Sequence, residues 1–379
     1  MKKYLLVIRW VVGLLFIFSG LIKANDPLGL SYKMQEFFEA WQLKGLHEYT
    51  LAASFGMNLL EVVAGVAVIV GWQMKRFSWL LLVLIVFFTF LTSYVLFSGK
   101  IHACGCFGDC VPLTPIQTFI KDIVLLLLIL LLVVKAGDVK PMLGNLLSKV
   151  VLIFSFLAIT GLQLYALKYL PLIDCLPYAK GKNILEGMRL PANAVPDSTV
   201  ITFKYKKNGQ EIEFDQNHFP DDLDSTYEFI SRYDKVVRKG TGLPKITDFV
   251  LTSETGTDTT KAILSQSKYI MLFVKDFDNV QDWSNDFNPL ATELATKKIP
   301  LLIVTADVEK AKAFRATKYA AGLNSEVNIL SCDATVIKTA ARVKPTCLIM
   351  GPYGYIAEKV SIFNHSKLNW VIKALQPIH

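Results

Sequence analysis

The chain has 379 residues, of which 53% are hydrophobic and 19% charged, and its formal net charge is +8. The apolar excess lies in the first 170 or so residues, which predicts a membrane part followed by a soluble part. Many Lys and Arg residues flank apolar runs, where they orient membrane spans. The soluble part has no basic stripe with interleaved aromatic residues, which argues against nucleic-acid binding.

Five apolar runs approach the roughly 20 residues that a helix needs to cross a bilayer. They predict spans at about 4–22, 51–72, 77–97, 116–134 and 150–169. If the spans alternate in direction, three groups of basic residues fall on one side, as they do on the cytoplasmic side of membrane proteins. These groups are Lys2, Lys3 and Arg9; Lys75 and Arg76; and Lys135, Lys140 and Lys149.

This charge distribution predicts a bacterial inner-membrane protein with a cytoplasmic N-terminus. The loop between the third and fourth spans, and everything after the fifth span, then lie in the periplasm, where thiols are kept oxidised. All six cysteines fall on that side. The expected partners are the lipid bilayer and periplasmic client proteins or partner subunits.

Several charged residues lie inside the predicted spans, where each costs at least about 2.5–3.5 kcal/mol on insertion scales. Glu61 lies near the middle of the second span, and Lys121 and Asp122 lie in the fourth. Each should therefore face a partner or a hydrated cavity. Two interpretations stay open: these three residues line a proton or quinone path, or the charges pair between helices, for example Arg9 with Glu61.

Spaced glycines and single charges in the first two spans carry a family resemblance. The patterns are Arg9-x3-Gly13-x2-Phe16-x3-Gly20-x2-Lys23 and Glu61-x3-Gly65. They resemble the DoxX family of small four-helix membrane proteins, and the loop Cys104-Gly105-Cys106-Phe107-Gly108 resembles its MauE branch. The resemblance implies a four-helix bundle over 1–135 and a link to disulfide formation in an exported enzyme. Residues 136–175 then form a cytoplasmic loop and an extra fifth helix.

Four cysteines are expected to meet at the outer membrane surface: Cys104, Cys106 and Cys110 in the loop, and Cys175 just after the fifth span. Four cysteines allow three disulfide connectivities, and the sequence does not choose among them. Three interpretations compete. They are a redox-active dithiol that exchanges with partner proteins, structural disulfides that tie the fifth span to the bundle, and a metal site with His102 as a further ligand. The first makes all four cysteines candidate catalytic residues, and no metal ligand is assigned.

Residues 176–242 predict a small linker module. Alternating residues at 200–205 and 211–214 flank an Asn-Gly pair, which is a strong hairpin signal. Apolar residues at a spacing of three to four over 223–239 predict a helix. No catalytic motif occurs here, so the module is expected to link domains or to dock a partner.

From residue 243 onward, apolar strands alternate with helical patterns, which predicts an α/β sheet. Strands are expected at 269–274, 300–305, 327–330, 346–350 and 355–360, and helices at 283–297, 308–321, 336–342 and 368–375. The segments Pro244-x-Ile246-x-Asp248-Phe249-x-Leu251 and Val343-Lys344-Pro345-Thr346 resemble thioredoxin-like proteins of the TlpA and peroxiredoxin-related branch. The resemblance implies a thioredoxin-like domain over 243–379, with a cis peptide bond before Pro345.

This expected domain departs from its redox relatives at the reactive motif. In those relatives C-x-x-C follows the first core strand, whereas residues 275–283 contain no cysteine here. Cys332 and Cys347 remain. They are either a displaced redox pair, or two buried thiols that pack as small hydrophobes or form one structural bridge. We favour the structural interpretation, in which the domain lacks the usual thiol chemistry and acts as a binding module.

The expected fold class is therefore multi-domain: an α-helical membrane bundle, a small module and an α/β thioredoxin-like domain. Two functions compete. In the preferred one, the cysteine loop exchanges disulfides with exported clients or a partner oxidoreductase, and electrons pass to a quinone or another protein. In the alternative, the protein is a non-catalytic membrane scaffold or complex subunit with structural disulfides. The missing C-x-x-C leaves open whether the protein is an enzyme.

Overall fold

The computed structural model describes residues 3–99, 101, 104–191, 194, 198–207, 210–215, 218, 220, 226–238, 242, 244–278, 280–316, 327–343 and 345–375. Its first half contains α1 (Lys3–Asn25), α2 (Pro27–Ala40), α3 (Thr50–Val70), α4 (Met74–Ser98), α5 (Pro115–Val134) and α6 (Asn145–Tyr169). Within the described ranges, all of these except α2 are long and apolar enough to cross a membrane. The five predicted spans are confirmed.

The segment between the first two predicted spans contains helix α2. Asp26 begins this helix, because its side chain accepts a hydrogen bond from the Gly29 N–H at 3.0 Å and Pro27 follows in the first turn. The Ser54 hydroxyl of α3 donates to the Pro27 carbonyl at 2.7 Å. Helix α2 is therefore fixed on the bundle, at the end where the cysteines lie.

Helices α1 and α3 pack with their backbones in close approach at two glycines. A Cβ atom built on Gly13 would lie 2.8 Å from the Gly65 carbonyl oxygen and 2.4 Å from Cγ1 of Ile69. A Cβ atom on Gly65 would lie 2.8 Å from the Gly13 carbonyl oxygen. The spaced glycines of the sequence pattern thus permit helix packing that no larger residue allows.

Residues 198–238 form a small antiparallel sheet in the described part of the chain. Its strands are β1 (Ser198–Lys207), β2 (Gln210–Asp215) and β3 (Tyr227–Arg238), in the order β2-β1-β3. The predicted hairpin is present as β1 and β2, with Lys207 opposite Gln210. Its turn residues, Asn208 and Gly209, lie outside the described residues.

The helix predicted over 223–239 is wrong, because residues 227–238 form β3. Tyr227 and Phe229 alternate along this strand, and both rings contact Tyr205 of β1, with centroids 6.3 and 5.4 Å away. Aromatic pairs across neighbouring strands stabilise a sheet. The helical spacing of the apolar residues was therefore coincidental.

The C-terminal half contains, among its described residues, a six-stranded sheet in the order β4-β7-β6-β5-β8-β9. The strands are β4 (Thr252–Ser253), β5 (Tyr269–Phe273), β6 (Leu301–Thr305), β7 (Asn328–Ser331), β8 (Thr346–Met350) and β9 (Ile356–Ser361). Strands β5, β6 and β7 are parallel, and β8 and β9 are antiparallel to their neighbours. A parallel βαβ unit followed by an antiparallel hairpin is the thioredoxin-like arrangement, which confirms the predicted fold class.

Helices cover both faces of this sheet. They are α7 (Ile184–Gly187), α8 (Thr260–Leu264), α9 (Gln281–Thr296), α10 (Val308–Arg315), α11 (Ala334–Ala340) and α12 (His365–Ala374). One buried cluster contains residues of α9, α10 and α12, and the other contains residues of α8 and α11. The predicted helix over 308–321 is present as far as Arg315, and 317–326 lie outside the described residues. Tyr178 and Ile184 also pack into the second cluster, so the chain enters this core before it forms the small sheet.

Candidate functional site

The cysteine loop, residues 104–110, lies between two helix ends that are fixed by local sequence. Helix α4 ends before Gly99, whose φ of 63° lies in the left-handed region that glycine favours. Helix α5 begins with a capping box: Thr114 Oγ1 accepts from the Gln117 N–H at 3.3 Å, and Gln117 Oε1 accepts from the Thr114 N–H at 3.0 Å. The loop is therefore held at the bilayer surface.

Two glycines shape the turn that carries Cys106. Gly105 and Gly108 have φ angles of 74° and 55°, and the Gly108 N–H donates to the Gly105 carbonyl at 2.9 Å. The Ser19 hydroxyl of α1 donates to the Cys106 carbonyl at 3.0 Å. The turn is thus anchored to the membrane bundle.

The four candidate cysteines divide into a disulfide and a pair of free thiols. Cys110 is bonded to Cys175, which follows α6. The sulfur atoms of Cys104 and Cys106 lie 3.2 Å apart and are not bonded to each other. Among the three connectivities that the sequence allows, the structure agrees with the one that pairs Cys110 with Cys175. This bond requires both residues to lie on the same side of the membrane.

The two free thiols differ in acidity. The hydrogen bond from Cys104 and the positive charge of Lys121 lower the pKa of Cys106, although burial acts in the opposite direction. The same hydrogen bond, together with burial, raises the pKa of Cys104 well above its usual range. Cys106 is therefore the sulfur that becomes a thiolate first, and the thiolate is the nucleophilic form.

A cluster around Arg342 joins the C-terminal domain to the cysteine loop. The Arg342 guanidinium binds Asp26 at 3.0 Å and Asp109, the neighbour of Cys110, at 2.8 Å. It also lies over the ring of Tyr32 in α2, whose hydroxyl accepts from Lys275 Nζ at 3.1 Å. The edge of the domain that carries Lys275 and Arg342 therefore faces α2 and the loop.

Parts of the chain are similar to known proteins. Residues 1–135 match the family described as methylamine utilisation protein MauE. Residues 199–239, which include most of the small sheet, match a domain family of unknown function. Protein TlpB of Flavobacterium psychrophilum is 30% identical over 131 residues, which are 33% of this chain and 35% of TlpB. The chain thus spans about a third of the length of that relative.

The chain joins a MauE-type membrane domain to a thioredoxin-like domain. It is a bacterial membrane protein, and about a third of it is similar to TlpB. A crystal structure of yeast Sco1 covers 35% of this chain and 97% of that chain, at 17% identity and a TM-score of 0.26. This score is too low to support an argument, and the thioredoxin-like fold follows from the strand order itself.

Inside the MauE-type domain, the two carboxylates singled out from the sequence lie in ion pairs. The buried Glu61 pairs with Lys23, and Asp122 pairs with Lys121 at 2.9 Å. The Thr92 hydroxyl donates to Asp122 at 3.1 Å. The suggested pairing of Arg9 with Glu61 is wrong, because Arg9 donates to the Lys140 carbonyl at 3.2 Å at the opposite end of the bundle. Lys23 lies nearer to Glu61 than Arg9 does, because Lys23 is at the end of α1 that is close to the cysteines.

The two cysteines of the thioredoxin-like domain do not form a pair. Cys347 packs in the cluster on the α9 and α12 face of the sheet, and Cys332 packs in the cluster on the other face. Burial raises the pKa of each thiol to about 12. The displaced redox pair is therefore excluded. Pro345 lies before β8, and because Lys344 is outside the described residues, the cis bond stays a prediction.

The metal interpretation loses two of its ligands, since Cys110 and Cys175 are bonded to each other. Among the described residues, no group of three or more His, Cys, Asp or Glu side chains is arranged to hold a metal ion. His102 lies outside the described residues. The candidate chemistry at this site is therefore that of a dithiol next to a disulfide.

Sequence reasoning missed the ion-pair residues that position the loop. Arg342 lies more than 200 residues from both Asp26 and Asp109 in the sequence, so no local pattern links it to them. Lys23 is part of the family pattern on α1, three residues after Gly20, and Glu61 is part of the pattern on α3. Their joint presence in the two patterns is a signal that could have identified the pair.

Proposed function

We propose that the chain is a thiol–disulfide exchange factor of the bacterial inner membrane, with Cys104 and Cys106 as its reactive pair. The observation that carries this proposal is the arrangement of two free thiols 3.2 Å apart in the same loop as a closed disulfide. Thiol–disulfide exchange requires a thiolate and a disulfide that can meet. The chain supplies both at the cysteine loop, since Cys110 of the loop is bonded to Cys175.

Cys106 acts as the attacking thiolate and Cys104 as the resolving thiol. Cys106 attacks a disulfide of a partner oxidoreductase, which forms a mixed disulfide and releases one partner thiolate; the disulfide that the pair then forms is the oxidant for exported clients. Cys104 then attacks Cys106, which forms the Cys104–Cys106 bond and releases the second partner thiolate. The lowered pKa of Cys106 and the raised pKa of Cys104 support this order.

The pair is oxidised in the same direction when a different acceptor removes two electrons and two protons from it. A quinone is the acceptor we propose, with Glu61, Lys121 and Asp122 as the residues near it. One carboxylate oxygen of the buried Glu61 has no hydrogen-bond partner among the described residues, which fits a group that takes up or releases a proton. A bound quinone supplies the two-electron acceptor, and the chain's residues supply the dithiol.

The cysteine side of the membrane is proposed to be the periplasm. The basic groups near Arg9, Lys75 and Lys140 support a cytoplasmic location for the opposite side. A disulfide between Cys110 and Cys175 also fits an oxidising compartment. The lipid bilayer and periplasmic proteins are then the partners of the chain.

We propose four parts for the chain: a DoxX/MauE-like bundle (1–135), the loop and fifth helix (136–175), a small module (176–242) and the thioredoxin-like domain (243–379). The start of the third part also packs into the thioredoxin-like core. The thioredoxin-like domain acts as a binding module. Its edge with Arg342 and Lys275 holds the cysteine loop and α2, so clients meet the loop beside this edge.

Replacement of Cys106 by Ser tests the proposal in cells that express the full chain. We expect exported proteins that need disulfides to accumulate as free thiols, as measured by alkylation and gel shift. Cys332→Ala is the matched control, because the Cys332 thiol is buried in the thioredoxin-like core. Unchanged client disulfides in the Cys106→Ser strain would contradict the exchange function and favour the scaffold function.

A further inference from the structure

A cleft of about 1280 Å3 separates the membrane domain from the thioredoxin-like domain. Its walls are α2, the Cys110–Cys175 disulfide, residues 181–191 and α11. This volume exceeds the roughly 300–1,000 Å3 of pockets for small ligands, so the cleft has room for a segment of another protein. We call it the interdomain cleft.

The two cysteine pairs have different access to this cleft. Cys110 and Cys175 line it, and both are partly exposed. Cys104 and Cys106 are not among the described residues that line it, and Cys104 packs against an apolar cluster formed by α2 and α4. A protein segment that enters the cleft therefore meets the disulfide before it can meet the dithiol.

The disulfide also borders the turn that carries the dithiol. A second, smaller cavity is lined by Cys110 and Cys175 together with Gly105, Gly108 and Lys23. The Cys110–Cys175 bond thus lies between the interdomain cleft on one side and the backbone around Cys106 on the other. This is the position expected of a disulfide that relays electrons between a protein in the cleft and the Cys104/Cys106 dithiol.

The cleft has an excess of basic side chains once its internal ion pairs are set aside. Lys33 is paired with Glu36, and Arg342 is shared by Asp26 and Asp109, which leaves one negative charge in that cluster. The other charged side chains along the described lining are Lys182, Arg189, Lys245 and Lys338 against Glu39 and Glu186. A net positive cleft attracts an acidic segment and stabilises an approaching thiolate.

We propose that a cysteine-bearing protein segment with acidic neighbours docks in the interdomain cleft and reduces the Cys110–Cys175 disulfide. This inference rests on the proposed exchange function and names its client class. The client thiolate attacks Sγ of Cys175, which forms a mixed disulfide and releases the Cys110 thiolate. A second client thiolate then attacks the client sulfur, which closes the client disulfide and releases the Cys175 thiolate. The two protons lost by the client end on Cys110 and Cys175.

Cys110 is the thiolate that returns the site to its starting state. It lies four residues after Cys106 in the cysteine loop, so a Cys104–Cys106 disulfide is within its reach. Attack of Cys110 on that disulfide, followed by attack of Cys175 on the resulting bond, restores the Cys110–Cys175 disulfide. It leaves Cys104 and Cys106 as a dithiol, which is the arrangement observed.

Two synthetic dithiol peptides test the docking step with the full chain in lipid nanodiscs, one with glutamate and one with lysine next to its cysteines. Acid quenching and mass spectrometry measure how fast Cys110 and Cys175 become thiols. We expect the glutamate peptide to react about tenfold faster. The charge reversals Lys182→Glu and Lys338→Glu together should abolish that preference, and Lys373→Glu on the exposed side of α12 should preserve it. Equal rates for both peptides would overturn the inference.

A second measurement separates this inference from the exchange function on which it rests. In the double variant Cys110→Ser and Cys175→Ser, we expect peptide oxidation to be lost while Cys104 and Cys106 still react with diamide, a small thiol oxidant. Peptide oxidation at the wild-type rate would overturn the relay and spare the exchange function. Failure of Cys104 and Cys106 to react with diamide would overturn both. If this variant does not fold, the charge-reversal comparison decides.

Discussion

Cys104 and Cys106 lie 3.2 Å apart at the membrane surface, near the charge of Lys121, whereas Cys332 and Cys347 are buried on opposite faces of the thioredoxin-like sheet. Burial raises the pKa of the two buried thiols to about 12. The fold that carries reactive thiols in its redox relatives therefore carries unreactive ones here. Local charge and spacing, and not the fold, therefore decide where thiol chemistry occurs.

Alkylation of the folded protein provides the largest test of this contrast. At pH 7 a thiol with a pKa near 12 is about 0.001% thiolate, against about 3% for an ordinary thiol. We expect iodoacetamide to label Cys106 about a thousandfold faster than Cys347, as measured by peptide mass spectrometry. In the denatured chain the two rates should become similar. Similar rates in the folded chain would contradict the assigned environments.

The next largest effect is expected at the junction between the two domains, where Arg342 binds two carboxylates. Arg342→Met leaves Asp26 and Asp109 without their shared cation, and breaking a largely buried ion pair costs about 3 kcal/mol. We expect the junction to open more often, so that native-state proteolysis within residues 176–191 is faster. The rate of proteolysis gives the free energy of opening.

The matched control for this variant is Arg315→Gln. Arg315 also binds a carboxylate, that of Glu254, but both side chains are about 30% exposed and lie away from the junction. An exposed pair contributes roughly 1 kcal/mol or less. If Arg315→Gln increases proteolysis at 176–191 as much as Arg342→Met does, the Arg342 cluster does not hold the domains together.

Alanine substitutions at two glycines test the packing of the membrane domain, because we expect them to change its stability in opposite directions. Gly13→Ala would bring a Cβ to 2.8 Å from the Gly65 carbonyl, so α1 and α3 must separate, at a cost of about 1–3 kcal/mol. Gly161→Ala on α6 meets no atom within 4 Å and should be neutral or stabilise the helix by up to about 1 kcal/mol. Thermal unfolding in detergent measures both. A lower melting temperature for Gly161→Ala would contradict the packing.

Much of the fold could be predicted because its signals are local. The five spans follow from hydropathy, and the core strands of the thioredoxin-like domain follow from unbroken apolar runs such as 269–273. Strand β3 was not predicted, because some of its apolar residues recur at a helical spacing, and the contacts of Tyr227 and Phe229 with Tyr205 of β1 decide for a strand. Helix α2 has a local signal, Asp26-Pro27, which was overlooked.

The candidate site could be predicted in its residues but not in its pairing. Four cysteines on one membrane side follow from topology, but the choice of Cys110 with Cys175 depends on how α6 ends beside the loop. The cluster of Arg342, Asp26 and Asp109 depends on the docking of two domains. Contacts of this kind join residues far apart in sequence and leave no periodic trace.

The smallest effect concerns the pH dependence of the two loop thiols. The pKa of Cys106 is lowered first by the hydrogen bond from Cys104 and then by the charge of Lys121. Its thiolate therefore persists to lower pH than that of an ordinary thiol, and it is lost as the pH falls through that lowered pKa. Lys121→Met should move the midpoint of Cys106 alkylation to higher pH by up to about one unit, and Cys104→Ala should move it further. Lys135→Met, at the far end of α5, should leave the midpoint unchanged. A midpoint that stays fixed in Lys121→Met while it rises in Cys104→Ala would assign the acidity to the neighbouring thiol alone and remove the lysine from the proposed mechanism.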